Sequence, residues 1–132
     1  MWQVDKVAPP NNFDITALFR GLLVALSSTV VLILALAMLL QYTSIKESTL
    51  PTAGVLVIVL SNLVGGFTAG RRAGNRGLWH GLGVGLAFAF TTLIITLGFF
   101  SNSFTWAGSM MKSFMSAACG ILGGILGVGY SR

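Results

Sequence analysis

The chain has 132 residues, of which 55% are hydrophobic and 8% charged, with 8 Lys+Arg against 3 Asp+Glu and a formal net charge of +5. An average soluble domain of this size carries about 33 charges at the usual ~25%, and a third of that number cannot cover the outside of a folded particle in water. These figures exclude an ordinary soluble domain and a disordered segment alike, and they leave an integral membrane protein.

Residues 1–17 form a polar head, kept irregular by the run from Ala8 to Asn12, and Asp14 is placed to cap the first helix. Four apolar stretches follow, at 18–40, 50–69, 81–100 and 110–130, each close to the roughly 20 residues that cross a hydrocarbon core about 30 Å thick. The first is too long for the apolar region of a cleaved leader, so it is expected to stay as a span. The predicted fold is therefore all-α, a polytopic four-helix membrane bundle. Residues 18–132 make a single transmembrane domain behind the short head.

Orientation follows from the basic residues, which are held back on the cytoplasmic side during insertion. Lys6, Arg20, Arg71, Arg72, Arg76 and Arg132 fall on one side, and Lys46 and Lys112 on the other. Both termini are predicted to be cytoplasmic, with the 42–49 and 101–109 connections outside. Trp79 and Tyr130 then sit at the inner interface, and Tyr42, Phe104 and Trp106 at the outer one.

The chain also aligns with itself. Phe19-Arg-Gly-Leu-Leu-Val-Ala-Leu26 matches Trp79-His-Gly-Leu-Gly-Val-Gly-Leu86, and Leu63-Val-Gly-Gly66 matches Ile121-Leu-Gly-Gly124. Two helical hairpins that each begin and end on the same side predict a parallel repeat about an axis along the membrane normal. The competing explanation is chance alignment of apolar, Gly-rich sequence.

Seventeen glycines fall largely on stripes of four-residue spacing. Gly66 and Gly70 follow Asn62 in the second span, Gly81 and Gly85 lie in the third, and Gly120 and Gly124 follow Ser116 in the fourth. In lipid, where no hydrophobic force joins helices, such stripes let backbones approach and pack. They are expected to make the cytoplasmic half of the bundle tight and the outer half looser, with some stripes facing a partner subunit. The alternative use of the glycines is to line a pore.

Polar side chains within the spans are few. Asn62 stands near the midplane, nine residues before Arg71, where it either bonds a neighbouring helix or marks an intramembrane polar site with Thr91 and Thr92. Threonine hydroxyls can equally bond their own helix carbonyls. Between spans two and three, Arg71, Arg72 and Arg76 lie within six residues, which either signals topology or holds an anionic lipid headgroup or acidic partner through the guanidinium fork. His80 has no second ligand near it and is expected at the interface; Cys119, the sole cysteine, reads as a packing residue. No catalytic, cofactor or metal constellation is visible. Asp5, Asp14 and Glu47 all fall outside the spans, which disfavours a proton-coupled carrier, and basic residues split between two membrane faces disfavour nucleic acid.

The segment Gly65-Gly-Phe-Thr-Ala-Gly-Arg-Arg-Ala-Gly-Asn-Arg-Gly-Leu-Trp-His-Gly-Leu82, followed by Gly85 and Leu122-Gly-Gly-Ile-Leu-Gly127, resembles the YrzE-like family of small bacterial four-span membrane proteins. The resemblance runs from span one to the end and implies architecture and a cell-membrane location, but no chemistry. A second, fainter likeness, to fluoride-channel-type four-helix proteins, rests on Phe90-Thr-Thr92; the six-to-two basic split favours a single orientation over the antiparallel dimers of that group. The function expected is non-enzymatic: packing into a homo-oligomer, or into a membrane complex as a small accessory subunit. A small ion or solute channel with its path near Asn62, Thr91 and Thr92 is the alternative.

Overall fold

In hydrocarbon every backbone amide must find its partner within the protein, so four apolar runs each long enough to cross it are expected as helices. The computed structural model describes residues 15–103 and 105–130. It contains α1 (Ile15–Tyr42), α2 (Leu50–Ala73), α3 (Gly77–Phe99) and α4 (Trp106–Tyr130), joined by short 3-10 turns at Glu47–Thr49, Gly74–Arg76 and Ser101–Ser103. Each helix is long and apolar enough to cross a membrane. The fold is a polytopic helical bundle.

The helices run past the hydropathy-defined spans, most clearly where α2 continues to Ala73 and α3 begins at Gly77. Hydropathy marks the part of a helix that tolerates hydrocarbon, whereas backbone bonding carries on into the interface. Pro51 sits in the first turn of α2, where its missing amide is harmless. Gly74 ends that helix at φ +65°, a conformation that costs a side-chain-bearing residue and almost nothing for glycine. The Asp14 cap, the charges of Asp5, Lys6 and Arg132, and the Phe104 ring lie outside the described residues.

The three helices α2, α3 and α4 pack on one another, and α1 lies against α2 and α3 without approaching α4. Arg20, Arg71, Arg72 and Arg76 mark one end of the bundle, called here the arginine end. At that end the helices touch backbone to backbone. A Cβ added at Gly66 or Gly81 would strike the Gly120 carbonyl, one at Gly70 the Gly124 carbonyl, and one at Gly85 would come within 2.6 Å of the Ser116 carbonyl. On the other flank of α2, a Cβ at Gly65 would meet the Ala25 methyl at 2.6 Å. The close approaches gather at the arginine end, and these glycine stripes are used inside the protomer.

Because lipid surrounds the bundle, the core is small and most large apolar side chains point outward. Ala25, Ala69, Val84 and Phe88 form its centre, with Leu18, Leu22, Leu26 and Ile58 packed against them. α1 is the loosest element: it buries only Ala17, Gly21 and Ala25, all in its first half. Only 6% of its apolar window is buried, against 22–28% for the other three.

Candidate functional site

The glycine contacts set a register. Gly66 meets Gly120 and Gly70 meets Gly124, so α2 and α4 run parallel with a constant difference of 54 residues. Gly77 and Gly81 of α3 close the same two layers from the third side. Continuing one turn away from the arginine end puts Asn62 of α2 level with Ser116 of α4 and Gly85 of α3. This third layer is polar. The Ser116 hydroxyl donates to the Gly85 carbonyl at 2.9 Å, across the α3–α4 seam. The Asn62 amide donates back to its own helix at the Ile58 carbonyl, 2.8 Å away, and its Oδ1 is fully buried without a protein partner. Ser61, on the adjoining α2 stripe, is also fully buried with its hydroxyl unpartnered.

One further turn out, the helices part. A cavity of about 260 Å3 opens there between α3 and α4 over Ile58 of α2. Space of that size holds roughly nine waters at ~30 Å3 each. Thr92 and Thr96 line it from α3, and Ser109, Lys112, Ser113 and Ser116 line it from α4, where their three- and four-residue spacing puts them on one face. Phe88, Ala89 and Leu93 supply its apolar wall. The hydroxyls of Thr92, Thr96 and Ser113 donate to the carbonyls of Phe88, Thr92 and Ser109 at 2.8–2.9 Å, which leaves their oxygens as acceptors. Lys112 is the one cation of the lining.

The polar residues singled out in the sequence are thus divided. Thr92 faces the cavity, Thr91 bonds the Ala87 carbonyl at 2.8 Å and lies off it, and Asn62 is sealed beneath it. The α4 stripe of Ser109, Lys112 and Ser113 was not anticipated, although its spacing in the sequence already places it on one helix face.

At the arginine end, Arg71, Arg72 and Arg76 are exposed. Arg71 stacks on Tyr130, with its guanidinium carbon 5.4 Å from the ring centroid, and Phe67 lies against the same ring at 6.0 Å between centroids. A cleft of about 350 Å3 joins Arg71 and Arg72 to Phe67, Thr68 and, from α1, Arg20; Arg76 is not part of it. Sequence spacing pointed to the loop and missed Arg20, which is distant in the chain. His80, at the entry to the third span, is 2% exposed, with Nδ1 3.0 Å from the Arg76 carbonyl, because α3 begins a turn earlier than its apolar span and carries the ring under its neighbours.

Comparison with known proteins agrees with this architecture. Residues 14–127 match the family described as "Protein of unknown function (DUF3792)". The chain is 31% identical over 108 residues, 82% of its length and 71% of the relative's, to "Uncharacterized membrane protein YrzE" of Bacillus subtilis (strain 168). No solved structure matches. Neither description points to catalysis. With the family match spanning nearly all four helices, the chain belongs to the DUF3792 family, YrzE-like multi-pass membrane proteins of unknown function.

Proposed function

We propose that the chain is a non-enzymatic membrane protein acting through helix packing, as a homo-oligomer or as a small accessory subunit of a membrane complex. The observation that carries this is the half-attached α1. Its first half is clamped by Ala17, Gly21 and Ala25, whereas Val30, Ile33 and Ala37, on one face of its second half, are exposed. In lipid, helices associate by packing rather than by hydrophobic force, so a long face with no partner inside the protomer is available to another subunit. Native mass in mild detergent tests it. A multimer of the 13.9 kDa protomer, or a stable complex with another membrane protein, is expected, and Ile33→Trp with Ala37→Trp should dissociate it. A wild-type chain that is monomeric and alone when isolated from native membranes would overturn the proposal.

A second function is favoured by the cavity: a path or binding place for an ion or small solute, reached from the end opposite the arginines. Asn62, Ser116 and the glycine layers close its floor, so passage needs the three helices to part there. Flux into liposomes, lost in Asn62→Leu, would support it; an ion panel without any flux would exclude a channel.

The orientation that suits both is with the arginine end cytoplasmic, supported by the gathering of Arg20, Arg71, Arg72 and Arg76 at one end and by the positive-inside rule. The bacterial source of the relative supports a cell-membrane location. Parallel duplication of the two hairpins is supported by Gly21 and Gly81, equivalent in the self-alignment, each of which meets the second helix of its own hairpin, at Gly65 and at Gly120 and Gly124.

A further inference from the structure

Two clefts are lined by α1 and α2 alone. The first is the cationic one at the arginine end, with Arg20, Arg71 and Arg72 around its rim and Phe67 below. The second, of about 570 Å3, is lined mainly by Leu23, Val24, Val31, Leu60 and Val64. Helical spacing connects them. On α1, Arg20, Val24, Ser27 and Val31 follow at steps of three and four, and on α2 so do Arg71, Phe67, Val64 and Leu60. Both clefts therefore lie on the same flank of the α1–α2 seam, end to end, with the charged one at the interface and the apolar one within the membrane.

We propose that this groove is a binding site for one anionic phospholipid, its phosphate held by Arg20, Arg71 and Arg72 and an acyl chain laid between Leu23, Val24 and Val31 of α1 and Leu60 and Val64 of α2. Charge selects the headgroup. Guanidinium groups from two helices converge there, their planar donor forks suit phosphate oxygens, and the stacking of Arg71 on Tyr130 holds one of them in place. Length selects the tail. From Arg20 to Val31 the groove runs about 16 Å at 1.5 Å per residue, close to the ~15 Å of one leaflet's hydrocarbon. A soluble phosphate would use the head of the groove and leave the apolar cleft unfilled. The site stands apart from the proposals on assembly and flux, because a bound lipid adds its own mass to whatever oligomer forms and needs no transport.

The test is native mass spectrometry of the full chain in detergent, titrated with dioleoyl phosphatidylglycerol, dioleoyl phosphatidylcholine or glycerol 3-phosphate. A single phosphatidylglycerol adduct is expected, tighter than phosphatidylcholine and far tighter than glycerol 3-phosphate. Arg20→Gln should weaken it about fivefold, the worth of one basic residue at an anionic surface, while Arg76→Gln, outside the cleft, should leave it unchanged. Val64→Trp, which fills the apolar cleft from an exposed position, should also weaken it with the arginines intact. Unchanged binding in Arg20→Gln, or equal losses in Arg20→Gln and Arg76→Gln, would overturn the site in favour of diffuse charge attraction. Glycerol 3-phosphate bound as tightly as the whole lipid would overturn it in favour of a phosphate pocket.

Discussion

The Ser116 hydroxyl donates to the Gly85 carbonyl at 2.9 Å, a side-chain bond from one span to the backbone of another. It stands where the bundle changes character. On one side of it glycine backbones touch, and on the other the helices separate around a hydroxyl-lined cavity. The bond pins the point of divergence.

Ser116→Ala removes that donor and leaves the Gly85 carbonyl with its helical partner. The expected loss is about 0.6 kcal/mol and no more than ~1.7, the range for interhelical side-chain bonds in membranes. Unfolding of the detergent-solubilised protein by denaturant titration measures it. A loss several times larger would mean that Ser116 holds the α3–α4 seam by more than this bond.

Gly120 is tightly enclosed, since an added Cβ would collide with the Gly81 carbonyl and come within 3.0 Å of Gly85. Gly120→Val cannot be absorbed by moving a flexible side chain, because the obstructing atoms are backbone. Overpacking of this kind costs about 1–3 kcal/mol or more. Thermal unfolding should fall sharply for Gly120→Val and hardly at all for Gly98→Val, whose surroundings are open. Equal melting of the two variants would remove the glycine layers as the source of stability.

Asn62 carries a buried acceptor without a partner, and an unpaired buried polar atom costs about 1–3 kcal/mol. Replacing it with Leu, of similar volume, should leave stability unchanged or raise it, although one bond to the Ile58 carbonyl is lost. A marked fall in stability would show that Oδ1 is satisfied in the membrane, for instance by a water.

The cavity separates two threonines of α3 by access. In a Cys119→Ala background, Thr96→Cys should react with a membrane-impermeant thiol reagent added from the outer side, and Thr91→Cys should not. Labelling only after the membrane is opened would reverse the orientation proposed for the bundle.

Much of the architecture was legible in the sequence for a physical reason. Four apolar runs admit one secondary structure in lipid, and small residues every four positions announce backbone contact. The glycines therefore pointed to both the helices and their tight half. The sequence could not say which stripes meet, since nothing in the chain singles out Gly120 from Gly123, Gly124 or Gly127 as the partner of Gly66; only three-dimensional register pairs them. For the same reason Thr91 and Thr92 looked equivalent. One hundred degrees of helix rotation puts the second on the cavity and the first off it, and that phase is fixed by packing against α4 rather than by either residue. Arg20 was read as a topology charge because the arginines it joins are fifty residues away.

The glycine layers also set how the molecule can vary. Where Gly66, Gly70 and Gly81 meet Gly120 and Gly124 the interhelical spacing is defined by backbone atoms in contact, so repacking of side chains cannot absorb an added carbon there. Around Thr96 and Lys112 the lining is made of side chains with space beside them. Substitutions at that end change the size and polarity of the cavity without disturbing what holds the helices together. One half of the protein is a fixed frame, and the other is a cavity whose lining can change while the frame stays the same.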